Sequence, residues 1–285
     1  MDLKKLELIR EAKLFRLIPG RTKKSRLEAS GVAVIDGSTA LVVFDSLNQI
    51  ARLDVSLKSS RHNRLWQAPS LGAGFEDIAT DDKAGATFGL VESVEDFDGV
   101  LRGFVAEYDS KGHLRQCSRL PGRFQKANKG FEGLAHSRHG GREYLYALRE
   151  ANVRTATGSR GRIDVYMRGA KGGWKESHSI QLPDEARFKD YSALAYRDGQ
   201  VAIVSQESSR LWVARLDTRT HKLIPKSGVV YRFPGKHYRN VEGIDWLSHD
   251  TLIAVSDRMK TDQPAKSAVT DQSIHVFRIP KRKPR

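Results

Sequence analysis

The chain reads Gly130–Phe131–Glu132–Gly133–Leu134–Ala135 near its middle, and relatives of this stretch recur along its whole length. Each relative opens a short apolar segment and carries a serine or a glutamate at the position of Glu132. Five copies at intervals of 46, 56, 60 and 50 residues indicate an internally repeated architecture. The other copies are Ala29–Ser30–Gly31–Val32–Ala33, Phe75–Glu76–Asp77–Ile78–Ala79, Tyr191–Ser192–Ala193–Leu194–Ala195 and Val241–Glu242–Gly243–Ile244–Asp245.

Each repeat continues with strand and turn signals. In the first repeat, the apolar alternation of Val32–Ile35 is followed by the turn Asp36–Gly37–Ser38 and then by the β-branched run Leu41–Phe44. A last short strand ends in proline, at residues 69, 121, 183 and 234, and proline is tolerated at the end of an edge strand. Four strands per repeat, arranged radially, describe the blades of a propeller. The sequence therefore predicts an all-β fold, a five-bladed β-propeller with four-stranded blades.

The fifth repeat lacks its outer strand, because it stops at Ile274–Ile279 and only a basic tail, residues 281–285, follows. The segment Leu14–Pro19 has the form of the other outer strands, including the terminal proline. We therefore expect this N-terminal strand to complete the last blade and close the ring. The apolar spacing of Leu3–Glu11 predicts a short flanking helix within residues 1–13, and no linker divides the single domain predicted for residues 1–285.

The amino-acid composition indicates which kinds of partner to expect. The 285 residues carry a net charge of +15, which favours an anionic partner such as a phosphate-bearing small molecule. Nucleic acid is not favoured, because the basic residues are spread along the chain and no groove-reading module is present. The single cysteine, Cys117, excludes an internal disulfide. No apolar run approaches the length of a membrane span or has the form of a signal peptide, so we expect the protein to be cytoplasmic, or exported with its signal removed. We also expect a monomer.

The repeated Ser or Glu opens the innermost strand of each blade, and innermost strands line the axial channel of a propeller. Three carboxylates that converge there would repel one another unless a cation lies between them. Calcium suits such a ring, because it takes about 6–8 oxygen ligands, whereas zinc or copper would require His or Cys. The alternative is that each glutamate only caps loop amides. The predicted metal ligands are Ser30, Glu76, Glu132, Ser192 and Glu242.

This order of Ser, Glu, Glu, Ser and Glu resembles the calcium-activated nucleotidases, the apyrases of the five-bladed propeller type. The nearest matches to the motifs of that family are Tyr191–Ala195 and Val241–Asp245. The resemblance implies one central calcium ion held by the five positions, and hydrolysis of nucleotides. The long loops of the family that contact the nucleotide do not align with this chain. The Phe-Glu-Gly-Leu-Ala form is also similar to other bacterial propellers, including phytase-like esterases, so the motif does not select an activity.

A second set of acids ends the second strand of every repeat. Because adjacent strands are antiparallel, we expect these acids at the same mouth as the first ring, one layer outward. Glu92 and Glu150 are the predicted catalytic residues, as general bases aimed at a water molecule, and Arg149 and Arg258 are predicted to offset developing charge. Alternatively, the acids hold the ion through a water molecule, or they only bond loop amides. The set is Asp45, Glu92, Glu150, Glu207 and Asp257.

Three functions remain open on this evidence. The first is a calcium-dependent hydrolase of phosphoanhydrides or phosphate esters, with an anionic substrate drawn in by basic loops between the blades. The second is a non-catalytic propeller in which calcium is structural and the basic face binds an anionic partner. The third is a lactonase or esterase at the same site. Histidines fit no ligand spacing and are expected at the surface: His136, His139, His237 and His249.

Overall fold

The computed structural model describes residues 3–70, 74–126, 129–149, 160–235, 237–261, 263 and 265–281. Within these residues the strands form five sheets, each with four antiparallel strands, and this confirms the predicted five-bladed β-propeller. One sheet gains a short fifth strand, which pairs in parallel at its outer edge. Among the described residues, none belongs to a helix with the length and apolar character that crossing a membrane requires.

The elements follow the repeat closely. The chain starts with β1 (Lys4–Lys5), β2 (Glu7–Lys13) and the short helix α1 (Leu14–Leu17). Blade one contains β3 (Ala29–Ile35), β4 (Thr39–Phe44), β5 (Leu47–Asp54) and β6 (Arg64–Gln67). Blade two contains β7 (Asp77–Asp81), β8 (Ala86–Glu95), β9 (Leu101–Tyr108) and β10 (Leu114–Arg119). Blade three contains β11 (Phe131–His139), β12 (Arg142–Arg149), β13 (Arg162–Arg168) and β14 (Trp174–Gln181).

The last two blades have the same form. Blade four contains β15 (Ala193–Arg197), β16 (Gln200–Ser205), β17 (Arg210–Arg215) and β18 (Val229–Arg232). Blade five contains β19 (Val241–Trp246), β20 (Thr251–Ser256) and β21 (Ser273–Arg278), together with β2. Short 3-10 helices lie at Asp184–Ala186 and Ala265–Val269.

The N-terminal segment closes the ring, as predicted, but with different residues. Strand β2 pairs antiparallel with β21, from Glu7 opposite Arg278 to Lys13 opposite Ser273. The prediction that Leu14–Pro19 is the closing strand is wrong, and so is the helix predicted within residues 1–13. Pairing with the open edge of β21 satisfies the backbone groups of β2 and overrides the local apolar spacing. The side chains of Leu14, Leu17 and Ile18 are buried in the core between blades five and one.

The core lies between the blades. In the described part of the chain, the buried apolar residues form five clusters, and each cluster joins two neighbouring blades. Trp212, for example, packs with residues of blade three, and Trp246 packs with residues of blade four. Burial of this apolar surface stabilises the ring as a whole, because no blade covers its own faces.

A hydrogen-bonded chain crosses the closing blade. The Oγ atom of Ser256 lies 2.8 Å from Nε2 of His275, and Nδ1 of His275 lies 3.2 Å from Oε2 of Glu11. The three residues stand on β20, β21 and β2. The order resembles the triad of a serine hydrolase, but Ser256 and His275 are fully buried, so no substrate reaches the hydroxyl group. We interpret the chain as a link that holds the N-terminal strand in the ring.

Replacing His275 with Ala is expected to lower the free energy of unfolding by about 2–4 kcal/mol, because it breaks this link and opens a cavity. Burial lowers the pKa of His275, and His275 in turn lowers the pKa of Glu11. The wild-type protein should therefore lose stability as the pH falls below about 6.5, where the unfolded chain takes up the proton first. The other ionisable groups that face His275 are Lys13, His237 and Tyr238.

Urea unfolding between pH 8 and pH 5 measures both effects. The matched control is His249→Ala, because His249 has a side chain that is 86% exposed, and its stability should stay within about 0.5 kcal/mol of the wild type. His275→Ala should also flatten the pH dependence. Equal slopes in His275→Ala and the wild type would show that the histidine is not the acid-sensitive group.

Candidate functional site

The five repeated residues meet in one cavity at the mouth of the channel, which we call the central cavity. Its volume is about 220 Å³. Every residue of the predicted ring lines it, although these residues come from five separate blades. The complete lining is Ser30, Asp45, Glu76, Lys129, Glu132, Asp190, Tyr191, Ser192, Gln206, Glu242 and Lys260.

β-bulges place three of the ring residues. The pairing register of the innermost strand shifts between Ala29 and Gly31, between Phe131 and Gly133, and between Val241 and Gly243. The residue left unpaired by each shift is the ring residue itself, Ser30, Glu132 or Glu242. A bulge bends the strand and redirects the side chain of its extra residue, and here that side chain lines the cavity.

The glycine that follows the ring residue allows the innermost strands to approach closely. A Cβ atom added to Gly133 would lie 2.7 Å from the backbone nitrogen of Leu194 in the next blade. A Cβ atom added to Gly243 would lie 2.7 Å from the Cα atom of Gly31. Only glycine permits such contacts, so the Glu-Gly and Ser-Gly pairs of the repeat keep the ring narrow.

The two serines join their blades to the next ones. The Ser192 hydroxyl group donates a hydrogen bond to the carbonyl oxygen of Val241 at 3.0 Å, and the Ser30 hydroxyl group donates to the carbonyl oxygen of Phe75. Each acceptor directly precedes a ring glutamate. A hydroxyl oxygen that donates its proton in this way retains lone pairs for a ligand.

The carboxylates of the central cavity are buried close to one another. Burial raises the pKa of Glu76 well above its usual range, and the neighbouring Asp45, Glu92 and Glu242 raise it further. Burial also raises the pKa of Glu242. Deprotonated carboxylates in this environment are costly unless positive charge lies close to them.

Lys260 supplies part of that charge, and sequence reasoning missed it. Its Nζ atom lies 3.1 Å from Oε1 of Glu242 and 3.8 Å from Oδ2 of Asp257. The charge of Glu242 is the main reason that the pKa of Lys260 is raised. Burial, followed by Glu242, raises the pKa of Asp257 to about 8. The lysine lies in the connection between β20 and β21, outside the repeated strands, so no periodic signal marks it.

The predicted second ring is only partly assembled. Asp45 lines the central cavity, and burial raises its pKa. Asp257 contacts Lys260, whereas Oε1 of Glu92 accepts a hydrogen bond from the backbone N–H of Gly130 at 2.9 Å. Glu207 is exposed to solvent. Glu150 lies outside the described residues, so its predicted role stays a prediction.

Asp190 is the acid of blade four that lines the cavity, and sequence reasoning missed it as well. Its carboxylate accepts hydrogen bonds from the Ser205 hydroxyl group and from the backbone N–H of Glu207, at 3.1 Å for the latter. Burial raises its pKa to about 6. A weak signal was available, because Glu28 and Asn240 are also polar residues placed two positions before a ring residue.

The two predicted arginines lie away from the cavity lining. The Nε and Nη2 atoms of Arg149 each lie 3.2 Å from Oδ2 of Asp164, and its guanidinium carbon lies 4.5 Å from the ring centroid of Phe124. These contacts favour a packing role for Arg149. Arg258 is exposed, and its backbone N–H bonds the Asp257 carboxylate. The catalytic roles of both arginines stay predictions.

His136 corrects the prediction that the four histidines are surface residues. Its side chain is only 4% exposed and lies close to the carboxylates of Asp81 and Glu143. Glu76 directly precedes strand β7, and Asp81 is the last residue of that strand. A strand rises by about 3.3 Å per residue, so Asp81 and the His136 side chain beside it lie roughly 16 Å from Glu76 along the channel. His136 therefore belongs to the opposite end of the channel.

The donor set of the central cavity fits a hard cation. The ring offers three carboxylates and two hydroxyl groups, and among the described residues none that lines the cavity is a histidine or a cysteine. Oxygen-only sites of this kind suit calcium or magnesium rather than zinc or copper. The repulsion among the buried acids gives the same indication, because a divalent cation would stabilise the deprotonated form of each carboxylate.

The chain has no match among protein-family models or among curated proteins. Several solved structures are similar to this one. The match to glutaminyl cyclase of Myxococcus xanthus has a TM-score of 0.56 and 12% sequence identity, and it covers 98% of this chain and 100% of the cyclase chain. A luciferin-regenerating enzyme has a TM-score of 0.52 and 12% identity, with 94% of both chains covered. The PQQ-bound aldose sugar dehydrogenase of Streptomyces coelicolor has a TM-score of 0.50 and 16% identity, with 94% of this chain and 98% of its own covered. All three have the names of enzymes and none is named a nucleotidase, so these likenesses establish the propeller fold and no particular activity.

Proposed function

We propose that this protein is a calcium-dependent hydrolase of phosphoanhydrides or phosphate esters. The observation that carries the proposal is the meeting of Ser30, Glu76, Glu132, Ser192 and Glu242 in one small, acid-rich cavity. These residues would hold the ion through three carboxylates and two hydroxyl oxygens. A bound calcium ion would polarise a phosphoryl oxygen and reduce the repulsion between the substrate and the acids.

Two lysines would hold the anionic substrate. Lys129 and Lys260 both line the central cavity, in which the other charged groups are carboxylates. Lys260 lies 3.1 Å from Glu242, so a divalent cation that binds Glu242 competes directly with the ammonium group. A lysine released from that ion pair keeps its positive charge and can contact a phosphate oxygen.

Asp190 is the residue best placed to accept a proton from an attacking water molecule. Its carboxylate lines the cavity, and the bonds from Ser205 and from the Glu207 amide fix its orientation. A base held in this way can act without reorganisation of the surrounding groups. Glu92, one of the two acids predicted from the sequence, instead accepts a bond from the backbone of blade three, and the other, Glu150, lies outside the described residues.

The ion pair between Lys260 and Glu242 also favours a second candidate function. If the lysine is the permanent counter-charge of the ring, the cavity needs less positive charge from a metal ion. The protein would then be a non-catalytic propeller that uses its basic face to bind an anionic partner. The two functions differ in whether calcium is required and in whether substrate is turned over.

An activity assay separates these candidates. Nucleoside di- and triphosphates, a generic phosphoester and a lactone are each offered with calcium and with chelator. We expect turnover of a phosphate substrate that chelator abolishes and calcium restores. Turnover of the lactone alone would replace the proposal with an esterase, and no turnover of any of the three would favour the binding propeller.

A further inference from the structure

A second group of metal-binding side chains lies at the opposite end of the channel from the central cavity. It consists of Asp81 at the end of β7, His136 on β11 and Glu143 near the start of β12, and we call it the His136 cluster. One potential ligand atom from each residue lies within 4.8 Å of the others. Blade two supplies one residue and blade three supplies two, so the cluster lies between neighbouring blades.

The Nε2 atom of His136 is directed into this cluster and is buried without a hydrogen bond. Its Nε2 atom lies 3.5 Å from Oε1 of Glu143 and 3.7 Å from Oδ2 of Asp81, both too long for a hydrogen bond. The side chain is 4% exposed. Phe88 stacks on the ring at a centroid distance of 5.1 Å and limits its rotation. A buried nitrogen that faces two carboxylates but makes no close hydrogen bond to either requires an explanation.

The two distances from Nε2 match those between the ligand atoms of a zinc site. Zinc bonds to histidine nitrogen and carboxylate oxygen are about 2.0–2.2 Å long, so neighbouring ligand atoms in a tetrahedral site lie about 3.4 Å apart. The separations of 3.5 and 3.7 Å from Nε2 are close to that value. We propose that Asp81, His136 and Glu143 form a Zn²⁺ site that is distinct from the central cavity. This inference does not depend on the proposed hydrolase function.

Two of the three proposed ligands, Asp81 and His136, border a cavity. Asp81, His136 and Arg138 contribute to the wall of a cavity of about 390 Å³ at this end of the channel. Three protein ligands with one open position are typical of zinc sites that bind water or substrate, whereas structural zinc sites are closed by four protein ligands. The site is therefore suited to a ligand with an oxygen or nitrogen donor that enters from this mouth.

The guanidinium group of Arg138 contacts the same two carboxylates that would bind the metal ion. Its Nε atom lies 3.0 Å from Oδ2 of Asp81, and its Nη2 atom lies 3.4 Å from Oε2 of Glu143. Its side chain is 36% exposed, so it can leave toward solvent without disturbing the core. Because the guanidinium group and a metal ion compete for the same carboxylates, removing the arginine should tighten metal binding.

Calorimetric titration of the full chain with Zn²⁺, in the presence of saturating Ca²⁺, tests the proposal. We expect one zinc site, weakened more than about 100-fold in His136→Asn, since even groups outside the ligand set change metal affinity by about 10–100-fold. Arg138→Gln should bind zinc more tightly than the wild type. His249→Asn, at an exposed histidine, is the control and should bind like the wild type.

The proposal is overturned if neither the wild type nor Arg138→Gln binds zinc, or if a folded His136→Asn variant binds it unchanged. Circular dichroism checks that each variant folds. X-ray absorption spectroscopy of the zinc-loaded wild type gives an answer that does not depend on any variant. One imidazole among oxygen ligands is the expected result, and a coordination shell of oxygen alone would contradict the site.

Discussion

Calcium added to the chelator-treated protein is expected to raise its Tm by about 5–10 °C when the free calcium concentration is 100 times the Kd. A ligand that binds only the folded state stabilises it by about 2.7 kcal/mol at that concentration. Each kcal/mol raises the Tm of a chain of this size by about 2–4 °C. The physical source is the ring itself, because the ion would join residues of all five blades and relieve the repulsion among Glu76, Glu132 and Glu242. Differential scanning calorimetry with and without calcium measures the shift.

Two variants that should change the calcium-induced Tm shift in opposite directions make this prediction specific. Glu76→Gln should leave the Tm of the metal-free protein unchanged or higher, because the raised pKa of Glu76 reflects a carboxylate that is unfavourable without a cation. The same variant should lose most of the shift with calcium. Lys260→Gln should lower the metal-free Tm and enlarge the shift, because the competing ammonium group is gone. Glu207→Gln, at an exposed acid, is the control. Equal shifts in the wild type and Glu76→Gln would place the calcium elsewhere.

The sequence predicts the blades well because each blade repeats the same local pattern. Glu132 and its relatives recur with apolar strands, turns and terminal prolines in the same order, and these are local signals. The same signals explain why the five ring residues could be named in advance. For Ser30, Glu132 and Glu242, a bulge residue followed by glycine is specified within a few residues of chain. The symmetry of the ring then brings these residues together with Glu76 and Ser192.

The closing strand could not be predicted in the same way. Leu14–Pro19 carries the local signals of an outer strand, but Glu7–Lys13 makes the pairing. That choice depends on the edge of β21 and on contacts such as the one between Glu11 and His275, which are 264 residues apart. Local periodicity contains no information about which of two adjacent segments meets a distant edge, so tertiary contacts decide the register.

The missed residues of the sites share one property, which is that the other copies of the repeat do not carry the same residue at the equivalent place. Lys260 lies in the connection between β20 and β21, and its importance is evident only from its distance to Glu242. His136 acquires its role from Asp81 in the neighbouring blade. Functional residues of repeat proteins commonly lie at positions where the copies differ. A prediction made from the shared positions does not detect them.

Asp190→Asn is expected to lower turnover of the phosphate substrate by about 10²–10⁴-fold, the usual contribution of a general base. The amide retains the size of the side chain and an oxygen that accepts the bonds from Ser205 and the Glu207 amide, so the Tm should change little. Steady-state kinetics at saturating calcium measures the loss. Since an amide cannot accept the proton, the decrease should appear in kcat more than in KM.

Two matched variants decide between Asp190 and Glu92, one of the two acids predicted from the sequence. Glu207→Gln adjoins the same loop but is exposed, and it should keep wild-type turnover. Glu92→Gln can still accept the bond from Gly130 and should also remain active if Asp190 is the base. The reverse result, an inactive Glu92→Gln beside an active Asp190→Asn, would restore the prediction from the sequence and assign the proton transfer to blade two. Activity in both variants would exclude each of them as the base and direct attention to Asp45, the remaining acid of the second ring that lines the cavity within the described residues.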